Sequence, residues 1–115
     1  DFGHGGTDSG AIGHGGIREK DICLAIGTMV EDLLHKKGIS VFLTRKDDYT
    51  VALDERTTYA NDSNADLFVS IHANYAANQR ARGVETFCFA PQLLDKGFSS
   101  LSESQEQSSN AVMQN

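Results

Sequence analysis

The sequence predicts an α/β domain with a mostly parallel central sheet flanked by helices, on three observations. Strand-like and helix-like stretches alternate along the chain, and a helix between two strands returns the second parallel to the first. The run Leu67 to Ile71 is almost continuously apolar, the pattern of a strand covered on both faces. Apolar residues between Glu19 and Lys37 recur at helical spacing. A length of 115 residues suits one domain with a core of its own.

Each element has a local reason. Residues 3 to 16 hold seven of the eleven glycines, a composition for tight loops in which backbone closely approaches a ligand. From Glu19 to Lys37, Ile22, Ala25, Ile26, Met29, Val30, Leu33 and Leu34 form one helical stripe. Gly38 ends that helix, and the lysines of its last turn complement the dipole. Ile39 to Leu43 is a short β-branched and aromatic strand. Asp47 to Thr50 forms a loop, and Val51 to Asn61 a second, shorter helix. Val84 to Phe89 is a further strand ahead of Pro91. From Ser99 the chain turns serine-rich, with little that could enter a core. The expected organisation is therefore one domain over 1–98. It is followed over 99–115 by a connector to a helix near Ala111-Val112-Met113, or by the start of an insertion.

Bulk properties exclude more than they assign. A net charge of −6 argues against nucleic acid, whose phosphates select basic faces. No apolar run is long enough to span a bilayer. Cys23, in a helix, and Cys88, in a strand, do not make a disulfide framework and read as half-buried apolar fillers. No signal peptide is visible in a chain that begins inside a motif.

Three short stretches place metal-capable side chains at element edges: Gly3-His4-Gly5-Gly6, Glu19-Lys20-Asp21 and Ser70-Ile71-His72-Ala73-Asn74. Two imidazoles and one carboxylate are the ligand set of a catalytic Zn²⁺ that keeps a position open for water or substrate. Taken singly, His4 reads equally as a turn residue and His72 as a hydrogen-bonded core histidine. Glu19 alone is a dipole-stabilised acid at a helix start. The glycine loop lacks the Gly-Lys-Ser/Thr ending of a phosphate cradle. His14 reads as a loop residue and His35 as an exposed helical one. Arg45, Arg56 and Asn61 either position a substrate or tie elements together.

In wording and order these stretches resemble the zinc-dependent N-acetylmuramoyl-L-alanine amidases, the type 3 cell-wall amidases. The likeness runs over nearly all of residues 1 to 90. It takes in Asp1-Phe2-Gly3-His4-Gly5-Gly6 with Asp8, Gly10-Ala11 and Gly16, and then Glu19-Lys20-Asp21. It continues through Leu43-Thr44-Arg45 with Asp48, Leu53 with Arg56, and Ala60-Asn61. Ala65 to Asn74 and Gly83-Val84-Glu85-Thr86-Phe87 complete it.

The resemblance implies Zn²⁺ held by His4, Glu19 and His72 at the carboxyl ends of strands; Asn74, two residues past His72, reads as a group that either supports the ligands or binds substrate. It implies hydrolysis of the amide joining N-acetylmuramic acid to L-alanine in peptidoglycan, during cell-wall remodelling, daughter-cell separation or lysis. It further implies a periplasmic or extracellular setting and an activator protein as partner. The family's general base is a glutamate on a later strand ahead of a Gly-Phe, and Lys96-Gly97-Phe98 has no Glu in that place. The chain is accordingly expected to be a fragment, inactive alone, in which Glu85 is the carboxylate able to substitute. A catalytically inactive peptidoglycan-binding or regulatory module of the same fold, and a zinc carboxypeptidase or aminoacylase, are the competing expectations.

Overall fold

The computed structural model describes residues 1–78 and 80–88. The last residue of the expected third strand, the Lys96-Gly97-Phe98 stretch and the serine-rich segment from Ser99 lie outside the described residues. Two compact units are present, Asp1–Tyr75 and a second beginning at Ala76.

Within the first unit, the glycine-rich loop contains a 3-10 turn at His14–Gly16 and leads into helix α1, Glu19–Lys36. Helix α2 spans Leu53–Asp62. Both helices match the expected periodic stretches to within two residues at each end. No side chain caps α1 at Arg18. Instead the first amides, which have no partner inside a helix, donate back into the loop: Glu19 N to Ala11 O at 2.8 Å and Lys20 N to Ser9 O at 3.1 Å. The start of α2 uses its own third residue, the Glu55 carboxylate accepting from Ala52 N at 2.9 Å.

The three expected strands are not ladder-length strands among the described residues. Residues 39–43 and 81–88 carry no bridge, and 67–71 makes one parallel bridge, Ile71 to Phe2. β-branched and aromatic composition reports fit to a pleated, half-buried surface rather than a backbone preference, so it makes a strand only where a partner lies alongside. Leu67, Phe68 and Val69 are exposed rather than covered on both faces. Asp1–Gly3 does pair with the end of that run. Asp1 N donates to Val69 O at 2.8 Å, Ile71 N to Asp1 O at 3.0 Å and Gly3 N to Ile71 O at 3.0 Å.

The interior of the first unit is small and polar. Phe2 and Cys23 are the buried apolar side chains among the described residues, beside buried Glu19, Lys20, Arg45 and Arg56. The Phe2 ring lies so close to α1 that a Cβ on Gly27 would meet it at 2.2 Å. Helix α1 thus buries Glu19, Lys20, Cys23 and Gly27, while Ile26, Met29, Val30 and Leu33 of the expected stripe stay exposed. At 3.6 residues per turn the two faces lie about 90° apart. Cys23 is fully buried, more than expected, and Cys88 is exposed, correcting its reading as a filler. His35 is exposed, as expected. No helix among the described residues is long and apolar enough to cross a membrane.

Candidate metal centre

Parallel pairing of Asp1–Gly3 with 69–71 decides where the two histidines go. His4 follows the first segment and His72 the second, in the same direction, so both emerge at the same end of the pair. The rings meet edge to face with centroids 4.8 Å apart. Glu19 reaches them from the first turn of α1, which the loop carbonyls of Ser9 and Ala11 hold in place. One donor atom each from His4, Glu19 and His72 lies within 4.8 Å of the others.

The Glu19 carboxylate is the hub. Its Oε1 lies 3.2 Å from His4 Nε2, 3.0 Å from His72 Nδ1 and 2.9 Å from the Ala73 amide, while Oε2 accepts from Ala11 N at 2.9 Å. Burial alone raises a carboxyl pKa, but the amides of Ala11 and Ala73 and the His72 ring outweigh it. Glu19 is therefore held below its ordinary value and ionised at neutral pH. Such a charge, with its side chain only 4% exposed, calls for cationic partners.

Asp8 orients His4. Its Oδ2 lies 2.8 Å from His4 Nδ1, and this pairing first, then the Gly10 amide, holds its carboxyl below the ordinary range despite partial burial. This contact orients the ring so that Nε2 faces Glu19, as an outer carboxylate orients a metal-binding histidine. The sequence signal for Asp8 was its four-residue spacing from His4 inside the glycine loop; its role emerges only from this contact. Gly10 makes room for the cluster. It has φ +63°, and a Cβ there would lie 2.5 Å from His4 Cδ2 and 2.8 Å from Glu19 Cβ.

Lys20 faces away from the cluster, its Nζ 2.6 Å from Gly6 O and 2.7 Å from Asp48 Oδ2, while Asp48 Oδ1 accepts from Gly6 N at 2.7 Å. Arg45 and Arg56 are buried against backbone carbonyls, so they tie elements together rather than meeting a substrate. Asn61 and Asn74 are exposed, and Asn74 makes no side-chain hydrogen bond among the described residues. Glu85 belongs to the second unit and is exposed there.

Two imidazoles and an ionised carboxylate fit a divalent metal of zinc's preferences, and the buried charge and the oriented His4 ring suit such an ion. They leave one face of the cluster toward solvent, since the His72 side chain is 46% exposed.

The chain is similar to known proteins over most of its length. N-acetylmuramoyl-L-alanine amidase AmiA of Escherichia coli K12 is 43% identical over 90 residues, covering 78% of this chain and 31% of the relative. The amidase AmiC2 of Nostoc punctiforme superimposes with a TM-score of 0.65 at 49% identity, over 69% of this chain and 44% of that one. The CwlD amidase of Clostridioides difficile, solved in complex with the GerS lipoprotein, superimposes with a TM-score of 0.67 at 35% identity. That match covers 70% of this chain and 49% of CwlD. The chain thus spans between about a third and a half of these relatives, and the likeness to amidase catalytic domains agrees with the expected α/β class. The N-acetylmuramoyl-L-alanine amidase family matches residues 1–114, and the chain belongs to that family.

Proposed function

We propose that this chain carries the metal-binding part of a zinc-dependent enzyme hydrolysing the amide between N-acetylmuramic acid and L-alanine in peptidoglycan. The supporting observation is the convergence of His4, Glu19 and His72 donor atoms within 4.8 Å, in a member of an amidase family. Bound there, Zn²⁺ supplies Lewis acidity and a water acidic enough to act as nucleophile near neutral pH. The chain's own residues supply the rest of the setting. Glu19 brings fixed negative charge, Asp8 orients the His4 ring, and the solvent-facing side at His72 admits the substrate carbonyl. Asn74, two residues past His72, hydrogen-bonds the substrate amide in this reading, and Glu85 is the carboxylate of this chain able to substitute for the family's general base. The paired ends at Gly3 and Ile71 support a site at the carboxyl ends of a mostly parallel sheet.

In this reading the protein works on peptidoglycan in the cell envelope, periplasmic or extracellular. The CwlD–GerS complex supports a protein partner, which in this reading is an activator. Residues 1–98 form the catalytic part, with 99–115 a connector or the start of an insertion. Zinc content and wall hydrolysis test the proposal together. Wild type should bind one Zn²⁺ and His72→Ala should lose most of it. Product analysis of digested walls by the whole protein should show free glycan and stem peptides headed by L-alanine. Release of C-terminal amino acids from peptides would favour a zinc carboxypeptidase, and zinc binding without hydrolysis a regulatory module. Full zinc retention by His72→Ala refutes the ligand assignment.

A further inference from the structure

Arg45 is fully buried, yet no carboxylate lies within ion-pairing distance of its guanidinium among the described residues. Its donors go to four carbonyls: Phe2 O at 2.9 Å, Gly3 O at 2.8 Å, Lys20 O at 3.0 Å and Asp47 O at 3.0 Å. Gly3 precedes His4, and Lys20 follows Glu19. Arg56, also buried, donates to Phe2 O at 2.8 Å, His4 O at 2.9 Å and Val51 O at 3.1 Å, and pairs with Asp1 Oδ1. His4 itself has φ +60°, a left-handed conformation that a non-glycine side chain disfavours. Arg56 holds the carbonyl of that very residue.

A buried cation without a counter-charge is costly unless its N–H groups are satisfied, and here backbone carbonyls satisfy them. What an apolar residue cannot do is fix the directions of several carbonyls from one rigid fork. We propose that Arg45 and Arg56 are positioning residues that set the distance between His4 and Glu19 before any metal arrives. Arg45 bridges the two ligand-bearing backbones, and Arg56 holds His4 in its strained conformation. The inference rests on the metal-centre reading above and assigns these two arginines a role distinct from substrate binding.

Arg45→Lys and Arg56→Lys keep the charge and lose the fork. Zn²⁺ affinity is measured by competition with a chromophoric chelator, Co²⁺ coordination by its visible spectrum, and folding by circular dichroism. Ser63→Ala is the control: it removes the hydroxyl bonded to Ala60 O at 2.9 Å and touches no group that Arg45 or Arg56 contacts. Each lysine variant should weaken zinc binding about 10- to 100-fold and alter the Co²⁺ bands, the scale on which groups behind the ligands act. Ser63→Ala should lower the melting temperature slightly with affinity unchanged. Zinc affinity within twofold of wild type in both folded lysine variants overturns the positioning role.

A wild-type measurement covers variants that fail to fold. In the metal-free protein the Arg45 and Arg56 guanidinium N–H signals should already be protected from solvent exchange, and Zn²⁺ should leave them in place. Protection that appears only after zinc is added means that the metal organises the arginines, and refutes the proposal. If wild type itself binds no Zn²⁺, the metal-centre reading and the positioning role fall together. Zinc binding that ignores both arginine substitutions removes the positioning role alone.

Discussion

Replacing Gly3 with alanine tests the metal centre with almost no other change. Gly3 has no left-handed φ, so alanine adopts its backbone without strain, and the Gly3 N to Ile71 O hydrogen bond persists. The added Cβ, however, would lie 2.5 Å from His72 Cε1 and 2.7 Å from both Nδ1 and Nε2, where ordinary contact begins near 3.4 Å. The ring must retreat by roughly 0.9 Å. His72 is half exposed and can swing outward, at about 0.5–1.5 kcal/mol if it leaves its rotamer well. A ligand bond tolerates only about 0.2 Å of error, so the displaced imidazole is lost to the metal. Structural zinc sites with four ligands are worth about 10–16 kcal/mol, hence about 3 kcal/mol for one ligand. That is a loss of about 10²-fold in affinity. The assay pairs chelator competition for Zn²⁺ with thermal unfolding in excess chelator. The expected result is a large fall in affinity with a small fall in metal-free stability. Unchanged zinc affinity, or a loss of metal-free stability as large as the loss of zinc binding energy, refutes the reasoning.

Gly27→Ala should do the opposite. Its Cβ meets the Phe2 ring at 2.2 Å, and Phe2 is buried and cannot yield, so overpacking of about 1–3 kcal/mol should exceed the roughly 1 kcal/mol that alanine gains in a helix. Urea unfolding measures the balance, and a stabilised variant contradicts it. Asp8→Ala should weaken zinc binding about 10- to 100-fold by releasing the His4 ring, and Asp8→Glu should recover part of that loss on the same chelator assay. Asp48 is held below its ordinary pKa first by Lys20 and then by the Gly6 amide. Its contribution is therefore complete above the unfolded carboxyl value of about 3.9 and fades as pH falls through the lower folded value. The melting curves of wild type and Asp48→Asn should differ at pH 6 and converge on acidification; divergence at low pH contradicts the sign. Burial, followed by the Glu19 charge, pushes the Cys23 thiol up, and Cys88 is exposed. A thiol reagent should titrate one cysteine in the native state and two in denaturant.

Both helices were legible from apolar spacing because a helix satisfies its own backbone, and local sequence suffices to specify it. Gly38, at φ +74° just past the last turn of α1, was readable for the same local reason. The strands were not, because a strand exists only through its neighbour: 39–43 has the composition and no ladder, while Asp1–Gly3 has little composition and pairs with 69–71. The sequence also singled out His4, Glu19 and His72 by residue type and by their place at element edges. That they meet depends on one parallel pairing and on loop carbonyls that seat the first turn of α1, contacts spanning up to 70 positions of chain, from Asp1 to Ile71. The face of α1 that turns inward was misjudged for a related reason. Apolar periodicity predicts which stripe prefers burial, but Glu19, Lys20, Cys23 and Gly27 face inward because the Phe2 ring requires a glycine and the buried carboxylate must reach two imidazoles. Residue types fixed what chemistry was available to this protein; the tertiary fold alone determined which groups share a site, since the distances between them are set by long-range backbone contacts that no local pattern records.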